Sequence, residues 1–261
     1  MAALAGARRH RLALFAAALV AASACGELFD GDAVGEVLAC NLALALVGAA
    51  AAGLAREGAL GRPKAAGRMW RLSAYLLVVG LAGGLAAAAA HAGGAAAPGL
   101  ALAAAAVLVC LLTGVFEEGV FRVAAVEAFE DAFGRADPRT PLRAAMLSAV
   151  VFGLLHVSLA DVAAAQTAIE WGQLALKPVQ AALFGLCLAD AYRRTRSLWP
   201  AAVLHALFDL FYLAPMMAVA GRLEVSYLTG DLVDLAILAL STILLVPAAI
   251  VAVRSLRVGE K

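Results

Sequence analysis

Thr113–Val126, TGVFEEGVFRVAAV, sets two carboxylates and a guanidinium inside an apolar run that begins near Leu100. Elsewhere the charges fall mostly between apolar runs. Ionisable groups at such depth are costly, so by default they mark a working site. On a helix Glu118 and Arg122 are four residues apart and share a face, whereas Glu117 is five from Arg122 and points elsewhere. The spacing makes one neutralised carboxylate and one free one. In a low-dielectric site the charged form of a free carboxylate is disfavoured, which suits it to take and give a proton near neutral pH. The competing reading is an ion pair that merely ends a helix, but apolar residues flank the group on both sides.

The rest of the chain agrees with a membrane setting. Of 261 residues, 64% are hydrophobic and 15% charged, and the mean hydropathy is +0.93. That leaves too little polar surface to cover a soluble globule, so the chain reads as an all-α polytopic membrane protein. The net charge of +1 comes with no basic face or aromatic platform, so nucleic acid is not an expected partner. Cys25, Cys40, Cys110 and Cys187 lie in or beside apolar segments without a CxxC spacing and read as small buried hydrophobes.

Crossing the hydrocarbon takes about 20 apolar residues, and eight helices are expected: about Leu12–Leu28, Val34–Leu54, Leu72–Ala90, Leu100–Phe133, Leu142–Ala160, Leu174–Tyr192, Leu198–Ala220 and Leu232–Val253. The fourth is too long for a plain span, and its amphipathic end, VAAVEAFEDAF, is expected to continue along or beyond the interface. No soluble domain, long linker or internal repeat interrupts the pattern, so residues 1–261 form one polytopic domain. Arginines and lysines gather before the first helix (Arg8, Arg9, Arg11), after the second (Arg56, Arg62, Lys64, Arg68, Arg71), after the fourth (Arg135, Arg139, Arg143), after the sixth (Arg193, Arg194, Arg196) and at the end (Arg254, Arg257, Lys261). The alternate loops are mainly neutral or acidic, with Asp30 and Asp32 among them. Lysine and arginine concentrate on the cytoplasmic side, which puts both termini in the cytoplasm. The basic N-terminus and Ala22–Cys25 also resemble a cleaved signal, but removing that helix would spoil the loop-charge alternation.

Three more ionisable side chains sit inside apolar runs: His156 in AVVFGLLHVSL on the fifth helix, and His205 and Asp209 in AAVLHALFDLF on the seventh. At 1.5 Å per residue from the cytoplasmic ends, His205 and Asp209 lie roughly 10 to 17 Å deep and His156 about 20 Å, with Glu117 at a similar level. A cavity between helices 4, 5 and 7, opening toward the cytoplasm, would collect them. His205 and Asp209 lie one turn apart, so the carboxylate can fix the imidazole's tautomer or set a second polar group beside it. His10 and His91 read as tail and loop residues.

EEGVFR, FGLLH and HALFD resemble the EExxxR, FxxxH and Hxxx(N/D) motifs of the CPBP family of intramembrane proteases, which includes the type II CAAX prenyl endopeptidases and bacterial bacteriocin-processing and immunity relatives. The segment VQAALFGLCLADAYRRTRSLWPAAVLHALFD is similar to the family's lead into its last motif, with Gln180, Gly185, Ser197, Leu198 and Trp199 in the expected places. The likeness spans about Val115 to Phe211, within an expected catalytic core of residues 100–211. Val123 replaces a common glycine, and Asp209 stands where asparagine is more usual. The resemblance implies peptide-bond hydrolysis by a glutamate-activated water. Glu117 with His156 would hold the water, and His205 with Asp209 would serve the oxyanion or the leaving amine; Glu118 and Arg122 would be a supporting pair, and Phe152 would pack the histidine's helix. It also implies no cofactor, a membrane-associated peptide or protein as substrate, the bilayer as surroundings, and a bacterial inner membrane as location. Two histidines and a glutamate also suit zinc, although nothing resembles HExxH. A sorting-signal protease, a proton-coupled transporter and a non-catalytic immunity protein are the rival readings.

Overall fold

The computed structural model describes residues 2–29, 31–63, 70–93 and 99–258. Asp30, Lys64, Arg68 and Lys261, used above for orientation, lie outside them, as does the loop 94–98. The described chain is helical throughout, without a strand: α1 Ala2–Leu28, α2 Val34–Ala55, α3 Trp70–His91, α4 Leu100–Glu117, a π-helical stretch Glu118–Ala125, α5 Val126–Phe133, α6 Thr140–Leu154, α7 Leu159–Ala164, α8 Ala168–Thr195, α9 Leu198–Tyr212, α10 Ala214–Ala220 and α11 Leu232–Val258. Among the described residues seven segments are long and apolar enough to cross a membrane, including an unbroken run from Leu100 to Phe133. The protein is an all-α polytopic integral membrane protein. Leu46, Val78 and Ile243 are exposed on its spans, as befits side chains that meet lipid.

The fifth expected helix is corrected. α6 has only 15 residues, about 22 Å of helix, and does not reach the length of a span. Ser158 and Asp161 form a capping box, so a new helix starts at Leu159, five residues after Leu154, and competes with continuation of the old one. His156 therefore sits in the turn after α6 rather than on a helix. A second capping box, Thr167 with Glu170, starts α8.

The core is built around the π-helical stretch. Val120, Val123, Ala124 and Ala125 are fully buried and pack with Phe15 and Ala18 of α1, Ala51, Ala52 and Ala55 of α2, Phe152 of α6 and Ala202 of α9. A π turn leaves one carbonyl out of the ordinary ladder, and the Ser148 hydroxyl donates to Phe121 O at 2.6 Å. Small residues let backbones touch at two crossings. A Cβ on Gly119 would lie 2.2 Å from Gly48 O, and one on Gly114 would lie 2.5 Å from Ala202 O. The first contact sets α2 against the π stretch, and the second sets α4 against α9.

The amphipathic end of the fourth segment behaves differently from expectation. Glu127, Glu130 and Asp131 of α5 are buried and form ion pairs with Arg11, Arg56, Arg135, Arg193 and Arg196. Tyr192 OH donates to Glu127 at 2.7 Å. The polar face of α5 meets arginines from four other parts of the chain rather than water. Burial disfavours the Arg135 charge, but hydrogen bonds to Asp131 and Glu127 outweigh that and hold its pKa above the ordinary arginine value. At the other end of the bundle His91 closes α3 onto the start of α11, with Nε2 2.8 Å from Asp234.

Candidate active site

The Gly114 crossing brings the paired glutamates of α4 beside α9. His205 lies between three carboxylates: Nδ1 is 2.8 Å from Glu118 Oε1, and Nε2 is 3.3 Å from Glu117 Oε2 and 3.4 Å from Asp209 Oδ2. Both ring nitrogens face acceptors, so a protonated ring can donate on both sides. Glu118 is fully buried, whereas the Glu117 and Asp209 side chains keep 20% and 16% exposure. The carboxylate that the spacing leaves free is thus also the more accessible of the motif's two.

Glu118 and Arg122 form the expected pair one turn apart, Nε to Oε2 at 3.1 Å, with both side chains buried. Their contact is ionic and lacks a well-aligned hydrogen bond. The guanidinium instead lies over the Phe152 ring, 3.9 Å from its centroid, a cation–π contact in a dry setting. Gly185 leaves room for this, since a Cβ there would lie 3.3 Å from Arg122 Nη2 and 3.2 Å from the Phe152 ring.

Phe152 also meets both histidines edge-on, at 4.5 Å from His156 and 6.1 Å from His205. His156 Nδ1 is 2.8 Å from Phe152 O. A carbonyl only accepts, so Nδ1 carries the proton and the neutral ring keeps its lone pair on Nε2. No hydrogen bond joins His156 to Glu117; the group that touches Glu117 is His205.

His156, His205 and Asp209 line a cavity of about 40 Å³ together with Lys177, Gln180 and Tyr212. Lys177, Tyr212 and Leu213 are shared with a larger cavity of about 220 Å³ that reaches Tyr227, Thr229 and Asp234. The route therefore leads to the end of the bundle opposite the arginines, which corrects the expectation of an opening on the arginine-rich side. α5 and its buried ion pairs fill that side. Lys177, Tyr212 and Tyr227 were not singled out from sequence as site residues. Lys177 has no charged residue three or four positions away, and the two tyrosines carry no spacing signal.

The lead-in residues serve as supports. Gln180 Nε2 donates to Ser241 Oγ at 2.6 Å and to Tyr212 OH at 3.2 Å. Ser197 caps α9 and donates to Gly61 O at 2.8 Å, and Trp199 Nε1 donates to Leu60 O at 2.8 Å. The α2–α3 loop thereby fixes the start of the helix that carries His205. Cys25, Cys40, Cys110 and Cys187 are free thiols. Among the described residues no group of three or more His, Cys, Asp or Glu side chains is arranged to hold a metal ion.

Neither characterised proteins nor solved structures include a match to this chain. Residues 98–211 match the family model described as type II CAAX prenyl endopeptidase Rce1-like. That segment contains both glutamates, Arg122, both histidines and Asp209, and over it the chain is similar to the Rce1-like family of CAAX-type proteases.

Proposed function

We propose that this protein is an intramembrane endopeptidase that hydrolyses a peptide bond of a membrane-associated protein or peptide, with residues 100–211 as its catalytic core. The observation that carries the reading is His205 held among Glu117, Glu118 and Asp209 at the wall of the cavity that His156 also lines. In this reading Glu117 takes a proton from a water whose oxygen adds to the scissile carbonyl carbon, and the Nε2 lone pair of His156 helps to orient that water. His205 donates to the oxyanion that forms and then supplies the proton that leaves with the amine as the C–N bond breaks. Asp209 works through His205: a bare carboxylate would repel the oxyanion, whereas one beside the imidazole favours the protonated ring. Glu118 and Arg122 position the assembly. The loop-charge alternation supports an inner-membrane location with both termini cytoplasmic. The family description names prenylated CAAX proteins, but no feature of these loops selects a lipid, so the substrate is proposed only as membrane-associated.

The test compares membrane proteomes of a deletion strain carrying the wild-type chain, the Glu117→Gln chain or no chain. Peptides that accumulate uncut without the protein should stay uncut with Glu117→Gln at matched abundance. If Glu117→Gln restores their processing in full, the chain acts without this chemistry and the proposal fails.

A further inference from the structure

A cavity of about 200 Å³ opens beside the buried ion pairs, lined by Glu130, Arg135, Thr140, Pro141, Arg193 and Arg196. It lies where the spans Leu100–Phe133 and Ala168–Thr195 end, the level at which lipid head groups sit. We propose that it binds a phosphate group, and that the source is the head group of an anionic phospholipid.

Charge is the first ground. In the network around the cavity, five guanidinium groups (Arg11, Arg56, Arg135, Arg193, Arg196) meet three carboxylates (Glu127, Glu130, Asp131), an excess of two positive charges. Half-buried like charges repel, and an anion of matching charge relieves that repulsion. The second ground is donor geometry. Arg193 is committed to Glu130 at 2.8 Å, but Arg196 stands 3.3 Å from Glu127 and 3.8 Å from Glu130. Most of its planar donor set is therefore free for a phosphate, whose oxygens it suits in pairs.

The third ground is backbone. Arg196 has φ 50° and ψ 28°, the only positive φ at a non-glycine among the described residues. Helices commonly end on glycine or asparagine in this conformation, because any larger residue is strained there. An arginine held in that place is better explained by what its side chain holds than by the turn. The proposal is independent of the proteolytic reading, since no residue of the His205 cluster lines this cavity.

The test uses the full chain in a zwitterionic-lipid-free detergent, with thermal unfolding followed as phosphatidylglycerol, phosphatidylcholine or inorganic phosphate is added. Phosphatidylglycerol should raise the midpoint and phosphatidylcholine should not. Arg196→Gly, which suits the backbone there, should weaken the phosphatidylglycerol effect about fivefold or more, the loss expected for one arginine at a charged surface. Arg143→Gln, at the same end but outside the cavity, should leave it intact. Arg193→Gln, read by native mass spectrometry for retained lipid, repeats the test should Arg196→Gly fold poorly. An equal response to inorganic phosphate would support the site and make free phosphate its source. No response to either anion, or equal losses in Arg196→Gly and Arg143→Gln, would overturn it.

Discussion

Gly114→Ala tests whether backbone contact between α4 and α9 holds the candidate site together. The added Cβ would lie 2.5 Å from Ala202 O, 3.2 Å from Ala206 N and 3.3 Å from Ala206 Cβ, and the first falls about 0.9 Å short of the 3.4 Å at which ordinary contact begins. The nearest atom is backbone, so no rotamer relieves the clash and the helices must part. A separation of about 0.9 Å would stretch the His205–Glu118 link from 2.8 Å to about 3.7 Å, beyond hydrogen-bond range. Overpacking of this kind costs about 1–3 kcal/mol, and a displacement near 1 Å can cost about a hundredfold in rate. The assay is thermal unfolding in detergent with a thiol-reactive fluorogenic dye, in a chain whose partly exposed Cys25 and Cys40 are changed to serine. Cys110 lies one turn before Gly114 and is 3% exposed, and Cys187 is fully buried, so both report unfolding. Labelling should begin at lower temperature in Gly114→Ala, and processing should fall steeply at matched abundance. Gly26→Ala, with nothing within 4 Å of the added Cβ, should behave like the parent. An unchanged midpoint together with full processing in Gly114→Ala would refute the reasoning.

Arg122→Ala removes the cationic partner of the buried Glu118 and leaves it only its His205 contact; breaking a buried pair costs about 3–5 kcal/mol, so the expected result on immunoblots of membranes is low abundance, and a well-expressed, inactive protein would move Arg122 into the chemistry. Ser148→Ala removes the buried hydroxyl that donates to Phe121 O and should cost about 1 kcal/mol in the same unfolding assay. Cleavage by purified protein should survive stringent chelation if Glu117 is the base, whereas loss that is reversed by stoichiometric zinc would make His156 and His205 ligands. Cysteine labelling at Asp32, Ala165 and Gly230 should report the extracytoplasmic side, and two of the three appearing cytoplasmic would sink the orientation.

The helical membrane architecture was legible in sequence because it rests on long apolar runs and on loop charge, both local features. Glu118–Arg122 was legible for the same reason, since a spacing of four fixes a shared face on any regular helix. His156 was misplaced because a capping box that begins two residues downstream outweighs apolar continuity, and apolarity alone does not show where a helix stops. The fate of α5 was hidden for a different cause. Amphipathicity reports that one face is polar, but whether that face meets water or five arginines depends on residues up to 120 positions away in the chain. The π turn left no trace in composition, and the direction of the cavity followed from packing at the arginine-rich end rather than from any motif.

Phe152 touches Arg122, His156 and His205 with one ring. Substitutions at those three positions therefore share a partner, and their effects will not sum. A variant weakened at Arg122 already lets the ring shift, so a second change at His156 removes less than it would alone. Single-residue scans of this centre will assign the same free energy more than once, and double-mutant cycles through Phe152 are the way to divide it.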